Sequence, residues 1–259
     1  MHKRCTDDAR VVHTAGAEKN AAENAALRRM GQAFCLVLAL GCAPALAAEW
    51  KPPQGCRLEM TVQQRSCTVA QHYRCQGDAP GDQWVAYFTQ DGLVSQSRID
   101  AETRWMESTD LVSGITDRLD PDDARDHASL STLLRDGADE FDFWTRSDTG
   151  ERLRHIGRDE LTGTVEIDGE RLDTTRFQLR TFAETGDLLI ERNGSQFVSR
   201  EMGRFFGGVE TSTDWSGETQ ETDDSPVRFI RRGEPGFGAT TPDYDCDMQM
   251  VGLTLRVPA

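Results

Sequence analysis

The run Leu161-Thr-Gly-Thr-Val-Glu-Ile167, then Asp168-Gly169, then Glu170-Arg-Leu-Asp-Thr-Thr-Arg-Phe-Gln-Leu-Arg-Thr-Phe182 decides the fold class. Apolar and polar residues alternate on both sides of a dipeptide that tolerates positive φ at two successive positions, the signature of an antiparallel hairpin. The pattern extends downstream. Leu188 to Arg192 and Ser195 to Arg200 flank Asn193-Gly194, and Thr185-Gly186 joins them to the preceding strand, so residues 161–200 are expected to form four consecutive strands of one sheet. It also extends upstream, where Gln83 to Gln90 and Leu93 to Ile99 flank Asp91-Gly92, and Cys56 to Val62 pairs with Cys67 to Tyr73 across Gln63 to Ser66.

One helix is expected between these hairpins. Asp120 can cap it, Pro121 suits its first position, Asp122 and Asp123 suit the positive end of the dipole, and Gly137 can close it. Ala124, His127, Leu130, Leu133 and Leu134 then gather on one side. The acidic run Asp120, Asp122, Asp123 and Asp126 lacks the spacing, the central glycine and the terminal glutamate of a calcium loop, so it reads as a helix start. The expected architecture is mainly β: an antiparallel meander of ten or more short strands forming a curved sheet, half-barrel or barrel-like, with one amphipathic helix over about 121–136.

Export is read from the first fifty residues. Phe34 to Ala43 is an apolar core of about ten residues, preceded by Arg28-Arg29 and followed by Ala45-Leu46-Ala47, the pattern of a cleaved secretory signal. It falls well short of the roughly 20 apolar residues that a spanning helix needs. Residues 1–29 are expected to be a signal n-region or no part of the native protein, 30–47 the signal peptide, and 48–259 a single β-rich domain, periplasmic or secreted. Ala39-Leu40-Gly41-Cys42 carries the Gly-Cys pair of a lipid anchor on Cys42 but lacks Leu at its first position, so cleavage after Ala47 is expected.

Charge excludes a class of partners. The 259 residues hold 29 Lys and Arg against 44 Asp and Glu, a net −15, and removal of residues 1–47 would leave 23 against 40, a net −17. Such a field repels phosphate backbones, so no nucleic-acid partner is expected. Four cysteines remain in the domain: Cys56, Cys67, Cys75 and Cys246. In an oxidising compartment they suggest two disulfides. Cys67 and Cys75 fall on one expected strand, too far apart to bridge, which leaves Cys56–Cys75 with Cys67–Cys246, or Cys56–Cys67 with Cys75–Cys246.

Catalytic constellations are not found in the sequence. Gly-x-Ser-x-Gly is absent, and His72, His127 and His155 each stand alone on a predicted strand or helix, with no His pairing at metal-ligand spacing. Asp243, Asp245 and Asp247 alternate beside Cys246 and read as a solvated edge. No catalytic residue, metal or cofactor is assigned on these grounds. The most distinctive run is Phe197-Val-Ser-Arg-Glu-Met-Gly-Arg-Phe-Phe-Gly-Gly-Val209, in which Phe197, Met202, Phe205 and Phe206 stand next to Gly207-Gly208. Together with Trp105 and Trp144 they are the candidate ligand-lining residues, the competing reading being a bent strand whose phenylalanines fill the core.

The meander Gly163-Thr-Val-Glu-Ile-Asp-Gly169, Thr175-Arg-Phe177 and Gly186-Asp-Leu-Leu-Ile190, with a signal peptide before it and a helix on one face, resembles the bacterial periplasmic half-barrel proteins related to lipoprotein and lipid carriers. The resemblance covers about residues 80–210 and implies an apolar ligand, while the four-cysteine arrangement departs from those carriers. The expected function is that of a noncatalytic periplasmic binding or carrier protein for an apolar or amphipathic ligand. The alternatives are an acidic cell-envelope interaction or structural protein, partnered by an envelope protein, and an unrecognised hydrolase.

Overall fold

The computed structural model describes residues 49–247. The expected signal segment, Cys42 and the last twelve residues of the chain lie outside them. One antiparallel sheet dominates. Its strands are β1 (Cys56–Gln64), β2 (Thr68–Cys75), β3 (Gln83–Thr89), β4 (Gly92–Ile99), β5 (Trp105–Asp110), β6 (Thr116–Asp126), β7 (Ala138–Ser147), β8 (Arg152–Ile167), β9 (Glu170–Ala183), β10 (Leu188–Ser199), β11 (Arg204–Phe206), β12 (Val209–Asp214), β13 (Thr219–Asp223) and β14 (Pro226–Arg231). They pair in the order β13-β12-β10-β9-β8-β7-β6-β5-β4-β3-β2-β1-β14, with β11 added on β10. The expected curved antiparallel meander is what forms, and it stays open rather than closing into a barrel.

The sheet rolls past itself. Met60, Val62, Ala70 and Val85, on the inner face of β1–β3, pack with Phe229 of β14 against Leu172 and Phe206. Strand register puts Leu172, Phe197 and Phe206 on the opposite side of their strands from Phe177, Leu179 and Arg192. The far ends of β8–β11 therefore set their back face against the inner face of β1–β3. Two residues join β13 to β14, the two edges of the sheet. There Asp224 N–H donates to Gly208 O at 2.9 Å and Arg65 N–H to Ser225 O at 3.0 Å, which fixes the overlap.

The outer face of β1–β3 is covered by the ends of the domain. Leu58, Val69, Tyr73, Ala86 and Phe88 lie beneath Trp50 and Phe237. Gln63 and Gln71 are fully buried on this face because each amide donates to the backbone crossing above it, at Thr241 O (3.1 Å) and Ala239 O (2.6 Å). Cys67–Cys246 clamps that crossing, and Cys56–Cys75 ties β1 to β2, so the first of the two expected connectivities forms.

Two expectations are corrected in detail. The helix α1 spans Leu130–Asp136 rather than 121–136. The carboxylates of Asp120 and Asp123 are held by Arg152 at 3.1 and 2.6 Å, so the Asp-Pro segment continues β6 along β7 with an irregular register. Ser129 caps the helix instead, its Oγ accepting from Thr132 N–H at 3.2 Å, and Gly137 closes it at φ +83 as expected. Asn193-Gly194 is not a turn: β10 runs straight through it, and residues 161–200 form three strands, not four. Gly194 serves close approach, since a Cβ there would stand 2.1 Å from Val209 O, where β10 passes β12. Gly208 faces Ser195 O in the same way, so Gly207-Gly208 lets β11 turn into β12 against β10.

Gly194→Ala is expected to cost about 1–3 kcal/mol by overpacking, read as a lowered denaturant midpoint at unchanged slope; an unchanged midpoint would contradict the crossing. Cys67 and Cys246 are separated by 179 residues and Cys56 and Cys75 by 19. Removing the long bridge with a Cys→Ser pair is expected to cost about 5 kcal/mol, and removing the short one about 3, in the chain-entropy model.

Candidate functional site

Register carries one face of the sheet outward from the core without a flip. Val85, Ser97, Ser108, Asp117 and Ser147 form one cross-strand row on it, and Phe143, His155 and Thr181 another. This is the inner face, continuous with Val62 and Ala70. It is apolar under the overlap and becomes small and hydroxylic across β4 and β5, where Ser108 and Trp105 are exposed. An inner-face trough with an aromatic wall results.

The wall is built around His155. Trp105, 40% exposed, stands edge-on to His155 at 5.3 Å and to Phe143 at 5.5 Å. Beneath it lie Phe141, Phe143, Phe177 and Leu179, backed by Leu119, Ala124 and Ala128. His155 Nε2 lies 2.9 Å from Thr145 Oγ1, and Nδ1 lies 3.2 Å from Thr181 Oγ1. Both ring nitrogens are thus engaged, one as donor and one as acceptor. Burial depresses the imidazole to about 4, with Arg192 adding to the effect, so the ring is neutral at neutral pH. A base that weak does not activate a threonine hydroxyl, and Thr145 and Thr181 are themselves buried. The arrangement suits contact with an apolar or planar group rather than proton transfer.

Beyond the aromatic wall the face becomes charged. Arg192 Nε and Glu210 Oε1 are 3.5 Å apart on adjacent strands. Asp139 and Asp159 are direct cross-strand partners on β7 and β8. Asp139 accepts from Ser129 N–H at 2.8 Å, beside the start of α1. Burial, reinforced by the Asp139 charge, pushes Asp159 up to about 7. Among the described residues no group of three or more His, Cys, Asp and Glu side chains could hold a metal ion.

The six ligand-lining candidates separate. Trp105 lies in the trough. Trp144 is on the opposite face of β7, its ring under the Arg152 guanidinium at 4.7 Å. Phe205 packs with Leu130, Leu133 and Val198 against α1. Phe197, Met202 and Phe206 belong to the cluster that holds the overlap. Phe143, Thr145 and Thr181 were not singled out in the sequence. The signal for Phe143 and Thr145 was the alternation of Ala138–Ser147, in which residues 139, 141, 143, 145 and 147 are all buried, and that for Thr181 the alternation of β9, in which 175, 177, 179 and 181 are buried. Two open concavities of about 280 and 420 Å³ are lined by Arg118–Pro121 with Arg146–Asp148, where Leu119 and Ser147 belong to the inner face, and by Gly55–Arg57 with Arg74–Gln76.

Asp159 sets a pH dependence. Its folded pKa of about 7 is above the ordinary carboxyl value of 3.8, so the unfolded chain gives up that proton first as pH rises. Stability is unaffected below about 4, falls between 4 and 7, and stays reduced above 7. Asp159→Asn, which can donate to Asp139, is expected to flatten that window in pH-dependent denaturant unfolding and to stabilise the protein at pH 8 by on the order of 1–4 kcal/mol. Burial also raises Asp117, Asp139 and Asp224, which keep part of the slope, so a slope between pH 4 and 7 left unchanged by the substitution would refute the assignment. No protein-family model, curated protein or solved structure matches this chain.

Proposed function

We propose that the domain is a noncatalytic binding protein of the cell envelope that holds an apolar or amphipathic ligand in the inner-face trough. One observation carries the reading. Trp105 stands 40% exposed on the face toward which the sheet rolls, its ring against Phe143 and His155. Through Phe143 the Trp105 ring carries the apolar cluster of Phe141, Phe177 and Leu179 to the surface, and a contiguous apolar surface of this kind, rather than a singly exposed side chain, favours an apolar partner. His155 contributes as a neutral ring held in place by two hydroxyls, which adds polarity without charge. The envelope location is supported by the two disulfides, which persist in oxidising compartments, and by the secretory pattern of residues 30–47. Among the described residues no helix is long and apolar enough to cross a membrane.

The test uses the fluorescent apolar probe N-phenyl-1-naphthylamine. Wild type is expected to bind it saturably. Trp105→Ala should weaken that binding by about tenfold or more, the loss of roughly 1.4 kcal/mol of contact. Trp215→Ala is the control, since Trp215 is 77% exposed on the turn after β12, and it should leave binding unchanged. Equal binding by wild type and Trp105→Ala would refute the trough as the site.

A further inference from the structure

Two buried side chains without adequate partners meet where the layers overlap. Arg204, at the start of β11, is 5% exposed. Among the described residues it makes one hydrogen bond, from Nη1 to Gln83 Oε1 at 3.4 Å, and its Nε makes none. His72, on the inner face of β2, is 4% exposed, and neither of its ring nitrogens has a partner among the described residues. Its ring stands edge-on to Phe206 at 5.6 Å, two residues from Arg204. Tyr87 of β3 packs beside the same apolar cluster and lies within electrostatic reach of Arg204.

The neighbouring charges are already spoken for. Arg231 bonds Glu170 at 2.5 Å, and Arg74 bonds Glu59 at 3.0 Å, where Arg57 also binds. Glu59 lies within electrostatic reach of Arg204 and the guanidinium stands over the Phe206 ring at 5.8 Å, yet among the described residues no carboxylate bonds it, in a protein of net charge −15. A buried ion without a counter-charge is expensive, and buried donors without acceptors are rare in native structures. Burial brings the Arg204 guanidinium down to about 10, and burial, with Arg204 and Arg231 adding to it, holds His72 well below the usual imidazole range.

We propose that Arg204, flanked by His72 and Tyr87, is the receptor for an anionic oxygen group, a carboxylate or a phosphate, bound between β2–β3 and β11. The guanidinium, the imidazole N–H and the phenol O–H are donors, which fits a ligand that only accepts. Entry is short, because Arg204 follows directly on the β10–β11 turn, where Arg200 and Glu201 are exposed. Met202 in that turn is an unbranched side chain able to repack as the anion enters. The site does not depend on the trough, which the opposite side of β9 and β10 lines.

Thermal unfolding of the full chain with its disulfides intact, at constant pH and ionic strength, tests this with inorganic phosphate, octanoate and 1-octanol. At least one anion should raise Tm saturably, following mass action rather than the unsaturable rise of a general salt effect. His72→Phe, which keeps the aromatic edge on Phe206, and Arg204→Met should each weaken that anion by about tenfold or more, the scale of a hydrogen bond to a charged group. Phosphate matching octanoate assigns a free anion. Octanoate outperforming both phosphate and octanol assigns a carboxylate on an acyl chain. Trp105→Ala should leave the anion effect intact, so failure of the trough and failure of this site are told apart. The proposal is overturned if neither anion acts saturably on wild type, if octanol equals octanoate while phosphate is inert, or if Trp105→Ala abolishes the effect. The wild-type and His72→Phe arms decide it even where Arg204→Met does not fold.

Discussion

The contact between the inner face of β1–β3 and the back face of β8–β11 is the constraint on which the structure depends. An antiparallel sheet of this length exposes two unpaired edges and one large apolar face, and twist alone does not bring them together. Met60, Val62 and Val85 meeting Leu172, Phe206 and Phe229 supplies the closure. It buries β1–β3 on both sides, since Trp50, Phe237 and the Cys67–Cys246 crossing cover the other face. It also explains the glycines at 194, 207 and 208. The chain must turn from β11 into β12 within backbone contact of β10, and a side chain would collide there.

The overlap also organises the charge. The outer face of β7–β9 is a lattice of cross-strand pairs, Arg154 with Asp142, Arg158 with Glu140 and Arg176 with Glu160. Exposed pairs of this kind add little stability each, but they let an acidic chain line up long strands without repulsion. On the inner face burial raises the Asp159 carboxyl and depresses the His155 imidazole. Contrast between a neutralised outside and an inside whose titrating groups burial shifts distinguishes the trough from the rest of the surface.

Local pattern made much of this legible. The Asp91-Gly92 and Asp168-Gly169 hairpins, the antiparallel meander and the four cysteines as two bridges follow from alternation, turn chemistry and reach. Asn193-Gly194 misled because a glycine required by a neighbouring strand looks the same in sequence as one required by a turn. The helix start misled because Asp120 and Asp123 have the composition of a cap, while Arg152, from a strand distant in sequence, claims them. The overlap itself was not legible, for the alternation of β9 gives no sign that Leu172 and Phe177 serve opposite layers. For the same reason the candidate lining residues mixed Trp105 of the trough with Phe197 and Phe206 of the core.

Native-state hydrogen exchange, resolved by residue, tests the overlap most directly. Amides of β1–β3 and of the far ends of β8–β10 should exchange only through a common opening at the global unfolding free energy, while β4–β6 and β12–β13 open at lower cost. Exchange of β1–β3 through an opening of its own, with β8–β10 still protected, would contradict the account of a sheet held together where it rolls past itself.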